Sequence, residues 1–174
     1  MTIKSILNRL RGRVDLPTLV RDGLTVGEDV FVNFGCIIDR SFCYLITIGS
    51  HVTLAPNVHI LAHDASTKRE LGCTKMGKVT IGDHVFIGAG TIVLPGVSIG
   101  DHVVIGAGSV VSKDIPSNSV AAGNPAKVIC TYDAYMDKQK NLMESMPVFS
   151  ADPDAAERER IKTFLDGNRI GFKV

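Results

Sequence analysis

Residues 78–113 divide without remainder into six hexads: KVTIGD, HVFIGA, GTIVLP, GVSIGD, HVVIGA and GSVVSK. Position four is aliphatic in each (Ile81, Ile87, Val93, Ile99, Ile105, Val111), and position five is Gly in four (Gly82, Gly88, Gly100, Gly106). A period of six is neither the 3.6 of an amphipathic helix nor the simple alternation of a lone strand. One such repeat has too little apolar surface to bury by itself, so stability must come from stacking repeats on one another. The expected fold is a parallel β-helix, each hexad contributing a short strand and a corner.

The register extends upstream. Val26, Val32 and Ile38 are six apart, as are Ile48, Leu54 and Ile60. The residue two before the anchor is also apolar at Leu24, Val30, Val52, Val58, Val79, Val85, Val97 and Val103, as a strand with one buried face requires. Twelve hexads result, and the count of six fails twice. Ile38 and Ile48 are ten apart, which predicts a bulged corner at SFCYL. Ile60 and Ile81 are 21 apart, which predicts a loop over 64–77. Long loops in compact repeats are commonly functional. Gly just after an anchor suits a corner that needs positive φ or close backbone approach.

The chain therefore reads as a cap over 1–22, repeats over 23–130 and a helical extension over 131–174. Ile3, Ile6, Leu7 and Leu10 share one helical face, with Gly12 as a stop. That suits a helix covering the solenoid end; a basic helix at a membrane surface is the other reading. Asp15-Leu16-Pro17 reads as a turn. Residues 133–145 and 153–166 read as helices, the second with Asp152 as N-cap and Gly167 as stop. The balance of 19 basic against 18 acidic residues argues against a general nucleic-acid or anionic-membrane footprint. No apolar run has signal-peptide or membrane-span length, so a cytoplasmic protein is expected. The cysteines (Cys36, Cys43, Cys73, Cys130) show no CxxC and no zinc spacing. They read as reduced thiols, and no metal is expected.

Four histidines share one register position: His51, His63, His84 and His102 each lie three residues after an anchor. For His51, His84 and His102 a solvated corner is explanation enough. His63 is the last residue before the long loop, although register alone would make it a fourth corner residue. His59, one before an anchor, reads as a strand residue.

The hexads, together with NFGCIID (33–39), LAPNV (54–58) and AHD (62–64), resemble the hexapeptide-repeat acyltransferases. In order and spacing they are similar to the galactoside and maltose O-acetyltransferase group. The resemblance implies an all-β domain, a left-handed parallel β-helix with three hexads to a triangular coil. It implies transfer of an acetyl group from acetyl-CoA to a sugar hydroxyl, with His63 as general base and Asn33 contacting the acceptor. Imidazole suits removal of a hydroxyl proton near neutral pH. Without the resemblance Asn33 would read as an Asx-capped corner. Asp39 is an acceptor-site candidate where the local spacing departs from the family by one residue. Asp64 would orient His63 or bind a sugar hydroxyl, a plain loop aspartate being the alternative.

The donor site is implied in the same way. Gly88-Ala89 and Gly106-Ala107 match turns that grip pantetheine, small residues allowing close approach. The Ala89 N–H is a candidate donor to the thioester oxyanion. Ser112-Lys113 and GNPAK (123–127) match the family's C-terminal signature, with Lys113 and Lys127 facing the nucleotide phosphates; each lysine alone would read as a surface charge. No cysteine sits in a nucleophile motif, which favours direct transfer in a ternary complex. A homotrimer with clefts between neighbouring prisms is implied. The short N-terminus and two C-terminal helices look like acetyltransferases of surface-polysaccharide sugars. The alternatives are an N-acetyltransferase acting on an amino or nucleotide-linked sugar, a γ-type carbonic anhydrase, and a non-enzymatic scaffold. For the carbonic anhydrase, His59 and His63 are a close pair but residues 1–50 hold no histidine.

Overall fold

The computed structural model describes residues 14–173, and the helix expected within residues 1–13 lies outside them. Two compact units make up the chain, Met1–Tyr132 and Asp133–Val174. No helix among the described residues is long and apolar enough to cross a membrane.

Among the described residues the first element is α1 (Leu16–Arg21), where the sequence suggests only a turn. Pro17 falls in its first turn, a place that tolerates a missing N–H, and Leu19 is buried. Every expected hexad is then a strand of two or three residues ending on its anchor. These are β1 (Thr25–Val26), β2 (Phe31–Val32), β3 (Ile37–Ile38), β4 (Ile46–Ile48), β5 (Thr53–Leu54) and β6 (His59–Ile60). An excursion follows, made of β7 (His63–Asp64), α2 (Lys68–Leu71) and β8 (Lys75–Met76). The repeats resume with β9 (Val79–Ile81), β10 (Val85–Ile87), β11 (Ile92–Val93), β12 (Ser98–Ile99), β13 (Val103–Ile105) and β14 (Val110–Val111).

Strands pair in parallel one circuit apart. Sheet A joins β1, β4, β9 and β12; sheet C joins β3, β6, β11 and β14. Sheet B joins β2, β5, β10 and β13, then β15 (Ser119–Ala122) and β16 (Lys127–Thr131), the last antiparallel. The chain thus visits A, B and C in rotation. The pair Ile81↔Ile99 spans 18 residues, three hexads. Val26↔Ile48 spans 22 and Ile48↔Ile81 spans 33, the excess being the two interruptions. The first is a 3-10 turn at Arg40–Leu45, and the second is an antiparallel hairpin of β7 and β8 rather than an open loop.

From Ile38 onward every anchor is at most 5% exposed. Burying an Ile, Leu or Val side chain contributes about 1.5–3 kcal/mol, so these stacked rows are the main source of stability. The middle residues point outward and differ by sheet. Sheet A shows Thr25, Thr47, Thr80 and Ser98, whereas B shows Phe31 and Phe86 and C shows Ile37, all exposed. The corners bring backbones close. A Cβ on Gly88 would lie 2.5 Å from Ala107 N, so only Gly fits that spacing.

The corner between A and B is held by a ladder. Asp83 Oδ1 accepts from Ser50 N (2.6 Å), Asp101 Oδ1 from Asp83 N (2.8 Å) and Ser117 Oγ from Asp101 N (2.9 Å). The next residue in each circuit is left-handed: Asp29, His51, His84, His102 and Asn118 have φ of 51–56°. The three imidazoles stack at 4.7 and 4.8 Å, and Tyr132 meets His102 edge-on. They occupy the same corner in successive circuits.

Helix α3 (Tyr132–Glu144) starts on the last residue of the first unit, and the second unit continues with β17 (Val148–Phe149), α4 (Ala155–Gly167) and β18 (Phe172–Lys173), β17 and β18 being parallel. Asp154, not Asp152, caps α4, accepting from Glu157 N at 2.7 Å. Phe149 is buried edge-on against Phe164.

Candidate active site

His63 opens the excursion, and three features separate it from the other corner histidines. Its backbone is part of β7 and lies outside the left-handed region they occupy. Its Nδ1 is hydrogen-bonded to Asp39 Oδ2. Its ring stacks on Phe42, with centroids 4.6 Å apart and planes at 29°. Asp39 follows the Ile38 anchor, and the pairing of β3 with β6 (Ile38↔Ile60) sets it one circuit behind His63. It is 6% exposed, and its Oδ2 also accepts from Ala62 N at 3.1 Å. A carboxylate only accepts, so this contact suits the tautomer with its proton on Nδ1, and Nε2 is the ring nitrogen that Asp39 does not engage. The His63 side chain keeps 34% of its surface exposed.

Asp64 faces solvent. Its Oδ1 accepts from Ser66 N at 2.8 Å. The hydrogen bonds from Ser66, with smaller help from Lys75 and His63, hold its carboxyl below the ordinary range. It closes a turn, and the hydrogen bond that orients His63 comes from Asp39.

Asn33, Gly88, Ala89, Gly106 and Ala107 form a column at the other end of sheet C, on the corner after sheet B. Asn33 N donates to Leu54 O (3.0 Å) and Gly108 N to Ala89 O (2.8 Å), tying successive circuits. Behind them Thr91 and Ser109, both fully buried, donate to Gly106 O at 3.2 and 2.5 Å. Gly123 N donates to Ser109 Oγ at 3.1 Å, and the Asn124–Pro125 peptide is cis. Lys127 is exposed at the head of β16. Ser112 and Lys113 are exposed after β14, on the His63 corner but two circuits later.

The expected site residues therefore fall in two columns. Asn33 precedes β3 and His63 follows β6, at opposite ends of sheet C, so one chain does not bring them together. His59 lies on the outward row of sheet C, paired between Ile37 and Ile92. Among the described residues no group of three His, Cys, Asp or Glu side chains converges as a metal site.

Residues 78–113 match the family described as bacterial transferase hexapeptide (six repeats). Protein CapG of Staphylococcus aureus is 46% identical over 121 residues, 67% of this chain and 70% of its own length. The chain belongs to the hexapeptide-repeat acetyltransferases. The structure of a maltose O-acetyltransferase from Clostridium difficile 630 is 36% identical, with a TM-score of 0.56 over 73% of this chain and 83% of that one. A hexapeptide-repeat-containing acetyltransferase of Vibrio cholerae complexed with acetyl coenzyme A is 28% identical, with a TM-score of 0.57 over 63% and 61%. Of two further curated relatives, putative acetyltransferases of Dictyostelium discoideum and Schizosaccharomyces pombe, the chain spans 62% and 50% of the length.

For this hexapeptide-repeat acetyltransferase, sequence reasoning missed the Asp39–His63 bond, the Phe42 stack and the buried Thr91 and Ser109 hydroxyls. The available signals were a charged residue where other hexads place Gly, an aromatic inside the four-residue insertion, and hydroxyls at positions that elsewhere hold Val.

Proposed function

We propose that the first unit is a left-handed β-helix. We propose further that the chain transfers an acetyl group from acetyl-CoA to a sugar hydroxyl, in surface-polysaccharide or related sugar modification. The observation that carries this is a part-exposed imidazole hydrogen-bonded through Nδ1 to a buried carboxyl group, in a chain of this family. In the reaction, His63 Nε2 takes the acceptor hydroxyl proton as the oxygen attacks the thioester carbonyl. Asp39 stays ionised and stabilises the imidazolium. The Ala89 N–H donates to the oxyanion. Collapse breaks the C–S bond, and the proton on Nε2 passes to the departing thiolate of CoA. No covalent intermediate on the protein is needed. Asn33 holds the acceptor; Gly88, Ala89, Gly106 and Ala107 line the pantetheine; Ser112, Lys113 and Lys127 serve the nucleotide end. The free cysteines agree with a reducing compartment such as the cytoplasm.

Assembly is part of the proposal. The apolar outward residues Phe31, Phe86 and Ile37 flank the corner that carries Asn33 and Gly88, while sheet A is hydroxyl-rich. Covering B and C with further copies in a cyclic trimer sets the His63 corner of one chain against the Asn33 corner of the next. That arrangement supplies the missing juxtaposition.

The test is acetyl-CoA consumption against free sugars, amino sugars and nucleotide sugars. An alkali-labile ester product is expected, and His63→Ala should lower turnover by about 10²- to 10⁴-fold while acetyl-CoA still binds. Absence of turnover with every acceptor, or full activity of H63A, would overturn the reading. An alkali-stable amide would move the acceptor atom to nitrogen.

A further inference from the structure

The insertion at Arg40–Leu45 does more than lengthen a corner. Cys43 is its anchor: it is 1% exposed, with Sγ directed at Leu19 O and Asp22 O (3.7 and 3.4 Å). Gly23 lets the next residue close in, since a Cβ there would lie 2.7 Å from Tyr44 Cβ. With Cys43 and Tyr44 seated in this way, the chain kinks at Phe42 (φ −127°, ψ 23°). The ring is half-buried, packs on the core on one side, and meets the face of His63 on the other. Asp39, immediately before the same insertion, takes the imidazole edge. The segment therefore supplies two contacts to one ring, a hydrogen bond in its plane and an aromatic surface against its face. The other three corner histidines, with no such insertion beneath them, stack on one another and are exposed.

We infer that Phe42 is a positioning residue for the acetyl-transfer reaction, fixing the plane of His63 and stabilising the imidazolium formed when it takes the acceptor proton. The inference rests on His63 being the base. A hydrogen bond at Nδ1 alone leaves the ring free to swing about that bond. A ring stacked at 4.6 Å removes that motion, and an aromatic face also attracts the positive charge that the neutral ground state lacks. An interaction that strengthens only as charge develops raises kcat rather than lowering KM.

The test uses the full-length enzyme with acetyl-CoA and the acceptor found in the screen above. Phe42→Leu keeps apolar bulk and removes the aromatic face. It should lower kcat about tenfold with the KM for acetyl-CoA and the thermal transition unchanged. Phe42→Tyr should restore most of the rate. A purely structural role predicts instead that F42L loses stability and rate together, or that F42Y fails like F42L; either result overturns the inference. If H63A is inactive while F42L matches the wild type, the Phe42 inference falls alone. If H63A is fully active, both readings fall.

Discussion

Asp39 Oδ2 accepts from Ala62 N and from His63 Nδ1, so Asp39→Asn keeps the shape while removing the charge. D39N is expected to lower kcat about 10- to 100-fold with little change in acetyl-CoA binding, measured by steady-state kinetics and calorimetry. Wild-type kcat in D39N would show that the imidazole needs no carboxylate. A second expectation concerns thiols. Burial raises the Cys36 pKa, and Cys43 is buried while Cys73 is exposed. Iodoacetamide on the native protein should therefore label Cys73 first and reach Cys36 and Cys43 only after unfolding. Mass spectrometry after partial labelling would show it. Legibility at this scale was uneven. His63 stood out because it sits where the count of six fails. Its partners did not, because Asp39 lies 24 residues away and meets it only when one circuit is laid on another.

Elements built on the hexad were readable because each anchor declares itself by period. The strands therefore end where the aliphatic residues predict. Ile87, fully buried in β10, should cost about 2–5 kcal/mol on change to Ala. Thr80, outward in sheet A and exposed, should stay within about 0.5 kcal/mol. Denaturant titration of the two variants separates the faces, and equal losses would contradict the register. Elements outside the period were harder to read. The excursion lacks aliphatic spacing, yet β7 and β8 pair backbone to backbone, His63 opposite Met76, which side-chain pattern does not report. The cap of α4 was misjudged because Asp152 and Asp154 both precede Ala155, and only Asp154 reaches Glu157 N. The reversal of β16 onto β15 has no signature in a six-residue count.

For the molecule as a whole, the outward rows make a prediction about assembly. Phe86 is 45% exposed in the centre of sheet B, and Phe86→Lys would place a charge in the proposed subunit contact. Light scattering should find a trimer for the wild type and smaller species for F86K, with activity lost in step. A monomeric, fully active wild type would sink the shared-site arrangement. The reversal of β16 matters here too. A parallel coil has no inherent stopping point, since its last strand offers unpaired N–H and C=O groups in the geometry of another coil. In sheet B, β16 runs antiparallel to β15, so the outer edge of that strand is out of step with the rise of a solenoid. End-to-end fusion of two molecules into a fibre meets a mismatched template at that rim, and one reversed strand acts as a brake on polymerisation.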